Sequence, residues 1–182
     1  MAVLAQWDLM KAAVERNPNI TLYGLPWGFA GWLGFNTTNP YHNCTATADY
    51  IAKWVECGRT HGLNISTLGL WNEAWQAAGR PDTDPWEYAL ALRKRLDTSG
   101  LGHVRLVAPD GQIGDIVPAL KANATLRQVI WGLGAHYPGK RGADPSWRPD
   151  LGMTLWSAED YSTYSDATGA GCGARLLGQN GG

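Results

Sequence analysis

The sequence predicts an α/β fold, in which about five strand-helix units form an incomplete (β/α)8 TIM barrel. Short apolar runs alternate with helical patterns along all 182 residues, which is typical of parallel βα units. Five units are fewer than the eight of a closed barrel, which takes about 250 residues. No GxGxxG motif follows a predicted strand, so a complete dinucleotide-binding sheet is not indicated. We therefore expect a fragment of a barrel.

The first part of the chain predicts a helix, a strand and a long loop. Apolar residues recur on one face of residues 3–16, and Asn17 and Pro18 end this helix. An apolar run at residues 20–25 predicts the first strand. The Trp, Gly and Pro content of residues 26–41 indicates a loop.

The remaining elements continue this alternation. Spacing of apolar residues predicts the helices, short apolar runs predict the strands, and the polar segment GRPDTDP predicts an insertion. The insertion is at residues 79–85, the helices are at 46–59, 86–96 and 113–121, and the strands are at 65–70, 104–108, 129–135 and 153–156.

The composition excludes several functional classes. The chain is 45% hydrophobic and 17% charged, which excludes a disordered chain. Its 15 Lys and Arg are scattered among 16 Asp and Glu, so we expect no nucleic acid partner. No run approaches the roughly 18 apolar residues of a membrane-spanning helix, and no transmembrane segment is predicted. No metal or cofactor motif is present, and we expect neither group.

Tryptophan and asparagine usage add two observations. The 10 Trp residues suit either a dense core or platforms for sugar rings, and both interpretations stay open. Asn-x-Ser/Thr sequons are more frequent than the roughly one expected by chance, which indicates the secretory pathway unless it is a coincidence in a Thr-rich chain. They begin at Asn19, Asn36, Asn43, Asn64 and Asn123.

The three cysteines form an odd set. Cys44, Cys57 and Cys172 lack the spacing of zinc ligands, so at least one thiol is free or has a partner outside this chain. Cys44 and Cys57 flank one predicted helix, and the sequence leaves open whether they pair.

Two carboxylates stand where a barrel enzyme holds its catalytic groups. Glu73 follows the apolar strand at 65–70, and Glu159 follows the strand at 153–156. Side chains at the C-terminal ends of barrel strands converge on one edge, and a pair of carboxyl groups there is what a retaining glycosidase uses. Asn72 carries an amide that can bind a sugar 2-hydroxyl. The alternative is that both glutamates cap the helices that follow them.

Four segments, in order along nearly the whole chain, resemble the galactocerebrosidase (galactosylceramidase) family of glycoside hydrolases. The segment WDLMKAAVERNPNITLYGLPWGFAGWLG occupies residues 7–34, LGLWNE residues 68–73 and GAHYPG residues 134–139. The fourth is LWSAEDYST, with GAGCGARLLGQN after it. GAHYPG and LWSAEDYST are much narrower signals than a generic Asn-Glu pair.

The resemblance implies an enzyme that hydrolyses β-galactosyl lipids such as galactosylceramide with retention of configuration. It implies that Glu73 is the general acid/base and Glu159 the nucleophile. It further implies a galactolipid substrate, no cofactor, and a lysosomal or secretory-pathway location, and it suggests a lipid-presenting activator protein as a partner.

Five further residues match positions that contact substrate in the family. Asn72 resembles the amide that binds the sugar, and Trp27 resembles a substrate-contacting indole, with loop packing as the alternative. Ser162 resembles a residue near the nucleophile, or else caps a helix. His136 and Tyr137 end a strand that in such enzymes holds a group bonded to the nucleophile. Because a strand alternates its faces, we expect only one of these two to point inward.

The chain also departs from the family pattern. The family has a basic residue and a short loop after the acid/base glutamate, whereas this chain has Ala74, Trp75 and a longer insertion. The family also has further barrel strands, a β-sandwich and a lectin-like domain, so we expect residues 1–182 to be a partial catalytic domain that is inactive alone. Cys172 resembles a family cysteine whose partner lies further along.

Two other functions stay open at this point. Another retaining barrel glycosidase, acting on a β-glucosyl lipid or a β-glucuronide, would use the same carboxylates. A non-catalytic carbohydrate-binding homologue is the second alternative, and the presence of both Glu73 and Glu159 argues against it.

Overall fold

The computed structural model describes residues 2–34, 39–73, 85–111, 113–136 and 151–159. The helices are α1 (Ala2–Arg16), α2 (Cys44–Thr60), α3 (Pro85–Thr98), α4 (Val117–Ala122) and α5 (Ala124–Val129), with short 3-10 helices at Gly31–Gly34, Pro40–Asn43 and Ile113–Asp115. The strands are β1 (Leu22–Gly24), β2 (Ile65–Gly69), β3 (Arg105–Gly111), β4 (Ile130–His136) and β5 (Thr154–Glu159).

The five strands form one parallel sheet whose spatial order is their order in the chain. This order is that of a barrel, because a doubly wound sheet reverses its strand order at a switch point. The rings of Tyr23 on β1 and Trp156 on β5 lie 5.5 Å apart between centroids. In a flat sheet those strands would be about 19 Å apart. The sheet is therefore curled into a half-barrel, and the predicted fold class is confirmed.

The helices bury apolar side chains against the sheet and against one another. Ile51 and Val55 of α2 and Leu92 and Leu96 of α3 are buried. Each such side chain stabilises the fold by roughly 1.5–3 kcal/mol relative to exposure. Each helix in the part of the chain that the structure describes is too short or too polar to cross a bilayer.

Three elements differ most from the sequence prediction. Strand β5 continues to Glu159, whereas the prediction ended it at residue 156. Strand β3 continues through Pro109 to Gly111, whereas the prediction ended it at residue 108. The helix predicted at 113–121 is a 3-10 turn followed by α4, and α5 was not predicted. The boundary between α4 and α5 is Asn123, whose side-chain oxygen accepts a hydrogen bond from the N–H of Leu126 at 3.0 Å. Asparagine thus interrupts the helix by capping the next one.

The two cysteines of α2 do not pair with each other. Cys44 begins the helix and Cys57 lies 13 residues further, about 20 Å along the axis. A disulfide needs Cα atoms within about 7 Å, so this open question is settled against pairing. The Cys44 thiol donates to the carbonyl oxygen of Tyr41 at 3.2 Å. Cys172 lies outside the described residues.

Candidate active site

Glu73 and Glu159 come together at the C-terminal edge of the sheet. Glu73 lies just beyond β2, and Glu159 is the last residue of β5. Three atoms lie within 4.8 Å of one another: one carboxylate oxygen of Glu73, one of Glu159, and a ring nitrogen of His136. The Glu73 side chain is 54% exposed and that of Glu159 is 27% exposed, so a ligand can reach both.

The backbone of Glu73 adopts an unusual conformation. Its φ angle is 44°, in the left-handed region that costs a residue with a side chain on the order of 1 kcal/mol. Strand β3 holds it there, because the Glu73 N–H donates to the carbonyl oxygen of Asp110 at 2.9 Å and Asn72 forms a parallel bridge with Asp110. Such conformations cluster at functional sites.

His136 is fully buried between carboxylates. Its Nδ1 is 2.8 Å from Oε1 of Glu73 and 4.0 Å from Oε2 of Glu159, and its Nε2 is 2.5 Å from Oδ1 of Asp110. Burial opposes a charge on the ring, but the hydrogen bonds to Asp110 and Glu73 outweigh it and raise the pKa of His136. The prediction that His136 binds substrate directly remains a prediction, since both ring nitrogens face carboxylates.

Asp110 is a site residue that sequence reasoning missed. It is buried near the end of β3, and it accepts a hydrogen bond from the hydroxyl of Tyr23. Burial raises the pKa of Asp110, although the hydrogen bonds from Tyr23 and His136 act in the opposite direction. The available signal was the run LVAPD, an acidic residue just after an apolar strand, which is the pattern that identified Glu73 and Glu159.

Tyr23 reaches Asp110 because Gly69 leaves it room. A Cβ atom on Gly69 would overlap the Tyr23 hydroxyl and would stand 2.5 Å from Cδ1 of Leu25. Burial and the neighbouring Asp110 raise the pKa of Tyr23, which keeps its hydroxyl protonated and able to donate. The absence of a side chain at Gly69 therefore allows the Tyr23 hydroxyl to reach Asp110.

Asn72 has an unpaired acceptor at the site, and Trp27 has an exposed indole. The side-chain oxygen of Asn72 is buried and has no hydrogen-bond donor within the described part of the chain. An acceptor left in that state costs about 1–3 kcal/mol, which a ligand hydroxyl would recover by donating to it. Trp27 lies on the loop after β1, at the same edge of the sheet, with 73% of its surface exposed. This exposure disfavours the loop-packing alternative.

Several predicted features lie outside the described residues. They are Tyr137, Ser162 and residues 79–84 of the predicted insertion, whose last residue, Pro85, begins α3. Of the two strand-end candidates, only His136 is described, and it faces Glu73.

A cavity of about 300 Å³ opens at the other end of β2. Barrel enzymes bind substrate at the C-terminal edge of their strands, so its position is not that of an active site. It is lined by Val55, Arg59, Gly62, Leu63, Asn64, Ile65, Leu101 and His103.

Glu73, His136 and Glu159 are also the group of described residues that could hold a metal ion. The 2.8 Å separation of Nδ1 and Oε1 of Glu73 is that of a hydrogen bond. A metal at this position would have to replace that bond. That the protein functions without a metal ion remains a prediction.

A parallel half-barrel with two carboxylates at its C-terminal edge has the architecture of the barrel glycosidases. Residues 3–180 match glycosyl hydrolase family 59, and the chain belongs to that family. This confirms the family resemblance inferred from the motifs.

The curated relatives are similar over almost the whole of this chain. It is 43% identical over 176 residues to the galactocerebrosidases of Homo sapiens and Macaca mulatta, which is 96% of this chain and 24% of each of those proteins. It is 41% identical over 176 residues to the galactocerebrosidase of Danio rerio, across 96% of this chain and 25% of that protein. The chain thus spans about a quarter of the length of the curated relatives it matches.

Solved structures share the fold at lower identity. SrfJ from Salmonella typhimurium superposes with a TM-score of 0.70 at 21% identity, covering 88% of this chain and 40% of that one. The endo-β1,6-glucanase BT3312 superposes with a TM-score of 0.60 at 16% identity, covering 82% of this chain and 39% of that one. At these identities the comparison concerns the fold alone.

Proposed function

We propose that this chain carries the two catalytic carboxylates of a retaining glycoside hydrolase that cleaves β-galactosyl linkages of galactosylceramide and related galactolipids. The observation that carries the proposal is the approach of oxygens of Glu73 and Glu159 within 4.8 Å. Retaining enzymes hold their carboxyl groups about 5–5.5 Å apart, whereas inverting enzymes need about 6.5–9.5 Å to admit a water molecule. The 4.8 Å limit joins one oxygen of each residue rather than the two carboxyl groups, and it fits the shorter, retaining separation.

The reaction proceeds in two steps. An oxygen of Glu159 attacks the anomeric carbon while Glu73 gives its proton to the glycosidic oxygen, so the bond to the lipid breaks and the lipid leaves as an alcohol. Glu73, now a carboxylate, then takes a proton from water, and the water oxygen displaces Glu159 from the anomeric carbon. Two inversions at one carbon release galactose in its original β configuration.

The other candidate residues bind the sugar. The buried oxygen of Asn72 accepts a hydrogen bond from the 2-hydroxyl, a contact that strengthens in the oxocarbenium-like transition state. The exposed indole of Trp27 packs against the apolar C–H face of the sugar ring. Tyr137 and Ser162 are assigned to substrate binding on motif position alone.

A β-glucosyl substrate is the second candidate. The endo-1,6-beta-D-glucanase BGN16.3 of Trichoderma harzianum is 27% identical over 90 residues, which is 40% of this chain. The galactocerebrosidases of Homo sapiens, Macaca mulatta and Danio rerio match at 41–43% identity over 96% of the chain, so a galactoside has the stronger support. The relatives named above do not support a β-glucuronide substrate or a non-catalytic carbohydrate-binding role.

The test compares substrates in the full-length protein that carries these residues. Nitrophenyl β-glycosides and galactosylceramide are assayed, and we expect the β-galactosides to be preferred. Proton NMR of the first product should show β-galactose. Glu159→Gln should abolish turnover and retain ligand binding. A preference for another sugar would contradict the proposed substrate. α-Galactose as the first product would contradict a retaining mechanism. Unchanged turnover of the Glu159 variant would contradict the proposal that the protein is an enzyme using this residue.

We also propose that the protein works in an acidic compartment, the lysosome, reached through the secretory pathway. Two sequons are exposed in loops that precede strands, at Asn19 and Asn64, so their side chains face solvent. The Asn43 and Asn123 side chains instead cap α2 and α5. Because the proposed substrate is a lipid that resides in a membrane, we also propose that a lipid-presenting activator protein brings it to the enzyme.

A further inference from the structure

Three side chains from three strands form a hydrogen-bonded chain that ends at Glu73. The Tyr23 hydroxyl donates to Oδ2 of Asp110, and Oδ1 of Asp110 is 2.5 Å from Nε2 of His136. On the other side of the ring, Nδ1 of His136 is 2.8 Å from Oε1 of Glu73. The two-step reaction given above uses neither Tyr23 nor Asp110.

The partners of Asp110 determine which hydrogens the His136 ring carries. A protonated tyrosine hydroxyl that donates to Oδ2 leaves the other oxygen of Asp110 to accept from the ring, so Nε2 carries a hydrogen. When Nδ1 carries the second ring hydrogen, it donates to Oε1 of Glu73. The ring is then an imidazolium whose charge Asp110 balances in the buried site.

We propose that Asp110, held by Tyr23, is a positioning residue that keeps His136 doubly protonated, so that its Nδ1–H holds one oxygen of Glu73 and leaves the other to carry the catalytic proton. This rests on the proposed function, because it presupposes that Glu73 is the general acid/base. Carboxylates that orient a metal-ligating histidine change activity by about 10–100-fold when they are removed, and we expect losses of this order from a carboxylate that orients His136.

The electrostatic surroundings agree with a charged ring. The titratable groups that face His136 are Glu73 beyond β2, Asp110 on β3 and Glu159 on β5, and Tyr23 on β1 reaches it through Asp110. The raised pKa of His136 favours the imidazolium; burial raises the pKa of Asp110 and opposes its charge, while the hydrogen bonds from Tyr23 and His136 favour that charge. Removing the charge of Asp110 therefore disfavours the imidazolium.

The test uses the leaving group of the substrate. An alkyl β-galactoside needs a proton from Glu73 as its bond breaks, whereas a 2,4-dinitrophenyl β-galactoside has a leaving group stable enough to depart without one. In the full-length protein, we expect Asp110→Asn to lower kcat/KM for the alkyl galactoside by about 100-fold and for the dinitrophenyl galactoside by less than about fivefold. The part of the alkaline limb of kcat/KM that reports loss of the second His136 proton should move to lower pH, because Asp110→Asn removes the charge that holds this proton.

Tyr23→Phe keeps the test independent of how the Asp110 variant folds. It should show the same leaving-group dependence with a smaller loss, of about tenfold on the alkyl galactoside. The matched control is Tyr88→Phe, which also removes a buried hydroxyl, one without a hydrogen-bond partner within the described residues. It should leave both substrates unaffected.

The outcomes separate the two proposals. Equal losses on both substrates, or no loss on either, for Asp110→Asn and Tyr23→Phe would overturn the role of Asp110 while Glu159→Gln still abolished all turnover. Full activity of Glu159→Gln on the dinitrophenyl galactoside would instead overturn the proposed function itself.

Discussion

Replacing Gly69 with alanine tests whether Tyr23 is seated where the hydrogen-bonded chain needs it. The new Cβ atom would overlap the Tyr23 hydroxyl and crowd Leu25, so the tyrosine ring has to move away from Asp110. Asp110 would then be a buried acceptor without its tyrosine donor, which costs about 1–3 kcal/mol, and the crowding adds about 1–3 kcal/mol. We expect Gly69→Ala to lower the free energy of unfolding by about 2–6 kcal/mol.

A double-mutant cycle separates the two contributions. Tyr23→Phe removes the hydroxyl that the new Cβ would strike, so Gly69→Ala should cost about 1–3 kcal/mol less in that background, with the crowding of Leu25 remaining in both. Urea unfolding followed by tryptophan fluorescence measures the four proteins. Additivity of the two substitutions within about 0.5 kcal/mol would refute the seating of Tyr23 over Gly69.

Four further predictions follow from the site. Because the pKa of His136 is raised above its ordinary 6.5, its hydrogen bonds stabilise the fold fully below that pH and less as the pH rises through the raised value. Urea midpoints should therefore fall above about pH 6.5, and His136→Gln should flatten this slope; an unchanged slope would contradict the linkage. Asn72→Ala should lower kcat/KM for a galactoside by roughly 100-fold and for the 2-deoxy analogue by much less, whereas equal losses would exclude a contact with the 2-hydroxyl. Trp27→Ala should raise KM about tenfold without lowering the melting temperature, since the ring is exposed; a lower melting temperature would show that it packs in the fold. The 182-residue chain alone should not turn over galactosides, because β1 and β5 each have one neighbour among the described strands; turnover with a cooperative melt would reject this expectation.

The elements that sequence predicted well are those encoded locally. Each of the five strands is a short apolar run followed by a turn or a helical pattern, and each was predicted to within a few residues. Glu73 and Glu159 were found because an acidic residue just after an apolar strand has few structural reasons to be there. Their approach to each other required only the rule that parallel strands end at a common edge.

The hydrogen-bonded chain was not predictable in the same way. In the sequence, Tyr23 has no feature that distinguishes it from any tyrosine in a β-strand. Its partner Asp110 lies 87 residues away in sequence. The strand was predicted to end at residue 108, so Asp110 fell outside the predicted sheet, whereas β3 continues to Gly111. His136 was predicted at a strand end, but its two carboxylate partners come from other strands and are defined only when the sheet curls.

The charges around His136 suggest why a buried imidazolium suits a two-step reaction. Before the first step, the proposed mechanism has a proton on Glu73 and a negative charge on Glu159; after it, Glu159 is esterified and the negative charge is on Glu73. The ring therefore faces one mobile negative charge throughout, which moves from 4.0 Å to 2.8 Å from Nδ1. At an effective dielectric constant of about 20, the attraction grows from about 4 to about 6 kcal/mol. Solvent at the half-exposed Glu73 reduces this gain to on the order of 1 kcal/mol, or about fivefold in rate. Asp110 makes that gain available, because without its charge a buried ring loses its second proton.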